Sequence, residues 1–545
     1  MSLAPPVRAD DLNDPVLFPS PPSTDDEQDE GRSSGGSLER VLPTHRVVSF
    51  SVGHFFNDLC AAMWFNYFLL YLQKVVKLES KYAGALLLVG QATDALCTPL
   101  VGLASDAHYL PRWLRKTFGK RKSWHFLGTL CVALSFPLVF SQPYLSSWLT
   151  SEKSESVRAL NYVPFVVLFQ IGWASVQISH LSLIPELSTA RDQRTTMNSL
   201  RNVFTVVASL TVFVMFLWYF SQDLHSQVHQ KVSPADLGHF QNSALIVVGL
   251  GCWVSALFHF TTKEPRRTRG VRRASATSNT LSSAGSVSYD PTVGTMKNGD
   301  WLRQPQFYQI AFLYLLSRLY INVSQVYFPF YIELVQDMEK SYVAFLPLAA
   351  YCSSFLTSSV ISVQRINALL NRKATYLFGA LCGLGACAFL WLPHLHYRVF
   401  GVAALMGLAQ AVILVTSLAL TADLIDKNTE SGAFVYGAMS FVDKLSNGLV
   451  YQTIELINPS CDPSKPHEAC AVFYRDVMVF VPGGALLLAL AVLLTLAPQR
   501  IGARSRFSCA PLRRLLGRRT AETSEDRGPI LADAEDSTSG EERVA

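Results

Sequence analysis

Long apolar runs recur from one end of the chain to the other, and they leave few folds open. Several exceed the about 20 residues that an α-helix needs to cross a bilayer. Half of the 545 residues are hydrophobic and 16% are charged, whereas soluble domains carry about 25% charged residues. A backbone inside lipid must satisfy its hydrogen bonds within helices or closed barrels, and runs this long favour helices. The sequence therefore predicts an all-α, multi-pass membrane protein.

Twelve of these runs are predicted to be transmembrane helices. They lie near 47–72, 82–104, 123–140, 161–184, 200–220, 243–260, 307–332, 341–363, 375–392, 399–425, 432–457 and 476–497. Lys and Arg concentrate in the second-to-third connection, in the sixth-to-seventh connection and in the tail after Pro498. Because positively charged loops stay on the cytosolic side, we predict that both termini and the central connection are cytosolic.

Polar stretches divide the chain into five parts. We predict a disordered cytosolic tail (1–44), a six-helix bundle (45–260), a flexible cytosolic linker (261–306), a second six-helix bundle (307–497) and a cytosolic tail (498–545). A short repeat supports two pseudo-symmetric halves, since spans four and ten each end near an acidic residue, Glu186 and Asp423. Two such halves around a central site are typical of secondary transporters.

Charged and amide side chains interrupt the apolar spans. In span one, His54, Asn57 and Asp58 share a helical face, and in span two Asp94 follows Gln91 by three positions. An ionised group at the bilayer centre costs about 3 kcal/mol, so such groups pair or meet water. We predict that they line a solute pathway; the alternative is a set of structural ion pairs that lock the helices together. The predicted pathway residues are His54, Asn57, Asp58, Gln91, Asp94, Gln177, Arg201, Arg318, Asn322, Asp443 and Lys444.

The ten cysteines do not form the framework of a secreted protein, because most lie within predicted spans. Cys461 and Cys470 share one loop that we place on the non-cytosolic side, where either a disulfide or two free thiols fits the sequence. No phosphate-binding Gly-Lys-Ser/Thr loop and no zinc-like His/Cys spacing occurs. We therefore predict no enzyme activity, no cofactor and no metal. We also predict a monomer without a nucleic-acid partner.

Two stretches resemble a known transporter family. Gly102 to Asp106, followed by Gly119-Lys120-Arg121-Lys122, is similar to the loop between spans two and three of the major facilitator superfamily. The run from Asp94 to Leu100 narrows the resemblance to the sodium:galactoside (glycoside–pentoside–hexuronide) branch. The runs 51–64, 169–187 and 431–449 resemble one member of that branch, a cysteine importer of lysosomes and melanosomes. The resemblance implies transport by alternating access, with gating or conformational roles for Asp106, Lys120, Arg121, Glu186 and Asp423.

The departures from the sugar–cation transporters bear on the substrate. By this resemblance, four charged residues match charged positions of those transporters. They are Asp58, Asp94, Arg201 and Lys444. Thr98 stands where those transporters have a second cation-site carboxylate, Gln177 replaces a sugar-binding Asp, and Leu181 replaces the Trp that stacks on the sugar. Both a sodium site and a sugar site are thereby weakened. The resemblance therefore predicts a small zwitterion such as cysteine, with any coupling ion a proton that titrates His54 or Asp94.

Two other functions remain open at this point. A sodium-coupled sugar or glycoside symporter would need an aromatic platform from another span, for example Trp64 or Trp173. A non-transporting scaffold or receptor would explain the long tails but not the charges within the spans. The predicted location, the lysosomal or melanosomal membrane, follows from the resemblance and from residues 526–531, which resemble an acidic dileucine sorting signal.

Overall fold

The computed structural model describes most of the chain between the two tails. The described residues are 41–106, 109–141, 154–188, 190–222, 230–265, 296, 298–362, 371–392, 395–426, 428, 431–459 and 467–502. Most of the predicted tails and of the predicted linker lies outside these ranges. We refer to the described residues up to 265 as the first half and to those from 296 onwards as the second half.

The described elements are helical throughout. Those of the first half are α1 (Thr44–Ser51), a 3₁₀ turn (Val52–His54), α2 (Phe55–Leu70), a π-helical turn (Tyr71–Val75), α3 (Ser80–Asp106), α4 (Arg112–Phe118), α5 (Lys120–Val139), α6 (Glu155–Leu187), α7 (Arg191–Gln222), a 3₁₀ turn (Pro234–Asp236) and α8 (Leu237–Thr261). Those of the second half are α9 (Asn298–Trp301), α10 (Pro305–Phe330), a π-helical turn (Tyr331–Val335), α11 (Lys340–Ser362), α12 (Arg372–Leu390), α13 (Arg398–Ile425), α14 (Gly432–Ile457) and α15 (His467–Leu496).

Each predicted span lies, to within a few residues, on one of these helices or, for spans one and seven, on a run of helical segments. The bounds of α14 are those predicted, whereas α7 and α15 begin earlier, at Arg191 instead of 200 and at His467 instead of 476. The added turns are more polar than the spans that they extend. Apolar residues identify the part of a helix that lipid or protein covers. The helix itself can extend beyond that part into water, where its residues favour helix formation.

Eight of the described helices are long and apolar enough to cross a membrane by length and composition. The predicted spans one, three, seven and eleven do not meet that measure. Span one is interrupted by the turn Val52–His54, and α5, which corresponds to span three, begins with three basic residues. Arg318 lowers the hydropathy of span seven, and the neighbouring residues Asp443 and Lys444 lower that of span eleven. That these four also cross the membrane stays a prediction.

A π-helical turn occurs in the described part of each half. The π-helical turns Tyr71–Val75 and Tyr331–Val335 each follow a helix that ends in aromatic-rich sequence. Each leads to a residue with positive φ, Lys77 (59°) and Asp337 (52°), before the next helix begins. The shared pattern Tyr-Phe-x-x-Tyr, which starts at 67 and at 327, is a sequence signal for an internal repeat that our sequence analysis missed.

Two helix pairs carry much of the packing between the halves, α3 with α14 and α7 with α11. Glycines allow the first pair to approach closely. A Cβ atom at Gly84 would lie 2.7 Å from the Cβ of Glu455, and one at Gly448 would lie 2.9 Å from the Cβ of Gln91. These distances are too short for any side chain, so glycine at both positions allows the seam between the halves to close.

Polar contacts close one end of the bundle, which we call the sealed end and define by Lys74, Asp236, Glu333, Lys340 and Glu455. The Lys340 ammonium lies 2.7 Å from the Asp236 carboxylate, and both side chains are buried. Lys74 lies 3.8 Å from Glu333. Each of these pairs joins the first half to the second, so separation of the halves at this end must break them.

The structure describes only one of the two residues of the predicted Cys461–Cys470 disulfide. Cys470, in the first turn of α15, is disulfide-bonded. Cys461 lies outside the described residues. The pairing itself therefore stays a prediction.

Candidate functional site

Asp58 lies in the first turn of α2, just after the 3₁₀ turn that interrupts span one. His54 Nδ1 lies 2.9 Å from its Oδ1, and the Thr205 hydroxyl donates to its Oδ2 at 2.9 Å. The residue is buried, with 6% of its surface exposed. Both carboxylate oxygens therefore have partners, as a buried ionised group requires.

Two histidines from other helices stabilise the interruption in span one. His180 of α6 donates from Nε2 to the carbonyl oxygen of Phe50 at 2.8 Å, and His125 of α5 donates from Nε2 to that of Gly53 at 2.9 Å. A break in a helix frees backbone carbonyls, and buried carbonyls need donors. A Cβ at Gly53 would lie 2.8 Å from the His180 ring, so this approach needs a glycine. The histidines thereby fix the position from which His54 reaches Asp58.

Arg201 of α7 completes the cluster around Asp58. Its guanidinium interacts electrostatically with the Asp58 carboxylate, and Thr205 lies one turn further along the same helix. Within the described ranges Arg201 forms no ion pair at salt-bridge distance, and its buried Nε lacks a hydrogen-bond acceptor. A half-buried cation whose buried Nε has no acceptor is suited to bind an anionic group.

Amide side chains adjoin this cluster. Asn57 donates from Nδ2 to the carbonyl oxygen of Trp173 in α6 at 3.0 Å. Its Oδ1 and the Oε1 of Gln177 are buried, and neither has a donor among the described residues. These two buried acceptors of the same half provide positions at which a bound solute could donate hydrogen bonds.

A second cluster connects the halves across the seam of α3 and α14. The Lys444 ammonium lies 2.7 Å from Asp94 Oδ2 and donates to Thr98 Oγ1 at 2.9 Å. Thr98 in turn donates to Asp94 Oδ1 at 3.1 Å. The two charges that the sequence placed in different halves therefore form one ion pair, beside the buried Gln91.

Arg318 and Asp443 form the next ion pair, at 3.2 Å between α10 and α14. Asn447 donates from Nδ2 to Asp443 Oδ1 at 2.7 Å, and Asn322 is buried one turn beyond Arg318. A quarter of the Arg318 side chain is exposed although it lies in the middle of a helix. The Arg318–Asp443 ion pair is therefore not fully covered by the surrounding helices.

The aromatic residue Tyr351 of α11 lies close to both Asp58 and Arg318. It interacts electrostatically with both Asp58 and Arg318, and its ring lies 5.2 Å from that of Phe213 in α7. Tyr351 is not among the residues predicted from the sequence, because a tyrosine in an apolar span carries no distinguishing pattern. Thr205 is not among them either, although its spacing of four residues from Arg201 places both on one face. Two apolar surface grooves, along α7 and between α10 and α15, lie apart from these charges.

The predicted gating residues lie at the end of the bundle opposite the sealed end. Arg121 Nε lies 2.7 Å from Glu186 Oε1, which connects α5 to α6. In the second half Asp423 forms the equivalent ion pair with Arg372, between α13 and α12. Asp106 is the last residue of α3, but its side chain lies outside the described part of the structure. Whether these pairs act as gates stays a prediction.

Glu264, which follows α8, binds the start of α5. Its carboxylate accepts from the backbone N–H groups of Lys120 at 3.0 Å, Arg121 at 2.9 Å and Lys122 at 3.1 Å. A helix N-terminus favours an anion, because its first N–H groups lack partners within the helix. Burial raises the pKa of Glu264, and the three backbone N–H groups oppose that shift. Gly119 precedes them with φ 106°, a conformation that favours glycine.

An all-helical fold with apolar spans and with charged residues paired between the halves defines the class of helical membrane transporters. The chain belongs to the MFS/sugar transport protein family, whose sequence profile matches residues 49–457. It is a multi-pass membrane transporter and not an enzyme.

Relatives and a solved structure extend this assignment. Major facilitator superfamily domain-containing protein 12 of Mus musculus is 41% identical over 499 residues, which cover 89% of this chain and 98% of that protein. The Homo sapiens protein of the same name is 42% identical over 471 residues, or 83% of this chain and 94% of that one. The crystal structure of a D-xylose–proton symporter matches with a TM-score of 0.58 at 14% identity, over 85% of this chain and 99% of that chain. That last likeness shows the fold alone.

Proposed function

We propose that this chain moves a small zwitterion across a membrane by alternating access between two six-helix halves. The proposal takes all twelve predicted spans as transmembrane and both termini as cytosolic. The sealed end is then the non-cytosolic end, and the central charges are reached from the cytosol. The exposed quarter of Arg318 supports a wet interior in this conformation.

The single observation that carries the substrate class is the state of Arg201. Lys444 and Arg318 already have carboxylate partners at 2.7 and 3.2 Å. Arg201 lies beside Asp58 but has no such partner at salt-bridge distance in the described ranges. We assign it the carboxylate of the substrate, with the unsatisfied oxygens of Asn57 and Gln177 as acceptors for the ammonium group.

We further propose that the zwitterion is cysteine and that it is imported from the cytosol into lysosomes or melanosomes. Support comes from the resemblance of the runs 51–64, 169–187 and 431–449 to a cysteine importer. A site of one guanidinium and two amide oxygens binds the backbone of an amino acid and sets no demand on its side chain. Recognition of the thiol must therefore come from other residues.

Reconstituted vesicles test this function. Purified full-length protein in liposomes is expected to take up labelled cysteine, and Arg201→Gln is expected to reduce kcat/KM about 10- to 100-fold through loss of a charge-assisted contact of about 1.5–3 kcal/mol. Lys81→Gln, at an exposed ion pair with Glu79 on the sealed end, is the matched control and should transport normally. Uptake equal to that of empty liposomes, or unchanged uptake in Arg201→Gln, would refute the proposal.

The geometry around Asp94 favours a proton over sodium as the coupling ion. A sodium ion needs several oxygen ligands, whereas the Lys444 ammonium already lies against Asp94 and Thr98. Uptake should therefore respond to an imposed pH gradient and not to a sodium gradient. A response to sodium at constant pH would contradict this.

The sugar alternative receives no support from the two candidate platforms. Trp64 is 2% exposed and stacks on Phe68 at 4.3 Å between ring centroids, which leaves no free face. Trp173 packs edge-on against Phe169 at 5.7 Å. The scaffold alternative does not agree with the transporter family to which the chain belongs.

A further inference from the structure

Glu455 is a buried carboxylate at the sealed end that the transport proposal does not use. It lies in the last turn of α14, with 1% of its surface exposed, on the seam that this helix forms with α3. Its Cβ lies 2.7 Å from the position that a Cβ of Gly84 would take. The close contact of the two halves therefore includes this side chain, and it can become hydrated only when the sealed end opens.

The hydrogen-bond partners of Glu455 are neutral. Gln73 of the first half donates from Nε2 to Glu455 Oε2 at 2.6 Å, and Asn458 donates from Nδ2 to the same oxygen at 3.0 Å. The hydroxyl groups of Ser80 on α3 and Tyr327 on α10 lie close to it. The Tyr474 hydroxyl of α15 faces the same group and donates to Gln73 Oε1 at 2.9 Å.

The neighbouring carboxylates of the sealed end differ in this respect. Glu333 faces Lys74, and Asp236 faces Lys340. Across the described ranges no Lys, Arg or His lies at salt-bridge distance from Glu455. A buried carboxylate without a cation is costly when ionised, and the cost disappears when it binds a proton.

The second oxygen of Glu455 indicates where a proton would be held. Glu455 Oε1 is buried and has no donor in the described part of the chain, and the same is true of Gln452 Oε1. The two residues are one helical turn apart, and Gln452 Oε1 lies 2.8 Å from the same Cβ position of Gly84. Buried acceptors without a donor are unfavourable. A proton on Glu455 Oε1 would supply a donor there, and Gln452 Oε1, which lies against the same position of α3, is the acceptor that we assign to it.

We propose that Glu455 binds a proton whenever the sealed end is closed and releases it when that end opens to water. The proton forms a bond to Glu455 Oε1 on closure, and water accepts it on opening, so one proton is exchanged per cycle at this residue. Acid then favours the closed form, because the closed form binds the proton more tightly than the open form. This inference rests on the proposed function only in taking the sealed end to open during transport.

Hydrogen exchange of the full-length protein in nanodiscs, without substrate, tests the inference. Peptides from Gln73 to Leu87 and from Gly448 to Ile457 report opening of the sealed end. After correction for intrinsic exchange, protection of wild-type peptides should fall as the pH rises from 5 to 8, by up to about tenfold per pH unit. Glu455→Gln, a neutral mimic of the protonated form, should keep the protection seen at low pH and lose the dependence on pH.

Two further variants make the test decisive. Asp337→Asn removes an exposed carboxylate of the same end and should leave the wild-type dependence unchanged. Gln452→Leu removes the acceptor for the bound proton and should shift the transition to lower pH, which keeps the inference testable if Glu455→Gln does not fold. A wild-type protein without pH dependence, or an unchanged dependence in Glu455→Gln and Gln452→Leu, would overturn it. Such a result leaves cysteine uptake in liposomes as a separate question.

Discussion

Replacement of Asp94 by Asn is expected to weaken the contact between the halves by a predictable amount. Asp94 and Lys444 lie 2.7 Å apart with side chains 8% and 13% exposed, and loss of one member of a buried ion pair costs about 3–5 kcal/mol. Lys444 keeps its bond to Thr98 at 2.9 Å and lies next to Asp443. We therefore expect the lower value, about 3 kcal/mol, which corresponds to about a 100-fold change in the unfolding equilibrium.

Thermal unfolding of the purified protein in detergent, followed by tryptophan fluorescence, measures this cost. Asp94→Asn and Lys444→Met should each lower Tm by several degrees. The double variant should recover to within about 1 kcal/mol of wild type, because no unpaired charge remains. Lys81→Gln, at a half-exposed ion pair, should not change Tm. If the double variant is as unstable as the sum of the two single variants, the charges are not paired as the structure has them and the reasoning fails.

Three further predictions concern the end of the bundle opposite the sealed end and the 3₁₀ turn that interrupts span one. Gly119→Ala should destabilise the protein by about 1–3 kcal/mol in the same melts, since the position has φ 106° and a Cβ would lie 2.5 Å from Glu264. Gly437→Ala is the control and should not destabilise the protein, because a Cβ at Gly437 would have no neighbour within 4 Å. Burial raises the pKa of Glu264 above 4.5, so the folded state binds a proton at this carboxylate more tightly than the unfolded state does. The stability that this proton contributes is present at low pH and is lost as the pH rises from 4.5 through the raised pKa. Glu264→Gln should remove this slope from melts between pH 4 and 8, and an unchanged or steeper slope would contradict the assignment. His125→Leu leaves the Gly53 carbonyl without its donor and should cost about 1–3 kcal/mol, measured as a lower Tm.

Part of the candidate site could be predicted from the sequence because helical spacing is a local property. His54 and Asp58 are four residues apart, and they contact each other as that spacing requires. The choice of partners across helices was not predictable in the same way. Lys444 pairs with Asp94 and Arg318 pairs with Asp443, although the sequence allowed other pairings of these charges. Only the packing of α3 on α14, which Gly84 and Gly448 permit, decides between them.

The sequence by itself determined that the chain is helical and where its apolar spans lie, because the cost of a polar group in lipid acts on each segment separately. The tertiary structure alone decided which end of the bundle is sealed, that Arg201 has no carboxylate at salt-bridge distance within the described ranges, and that Glu455 meets Gln73 from the other half. These properties depend on contacts between residues far apart in the chain. Local sequence patterns do not determine such contacts, because each contact forms only when two helices pack in one register.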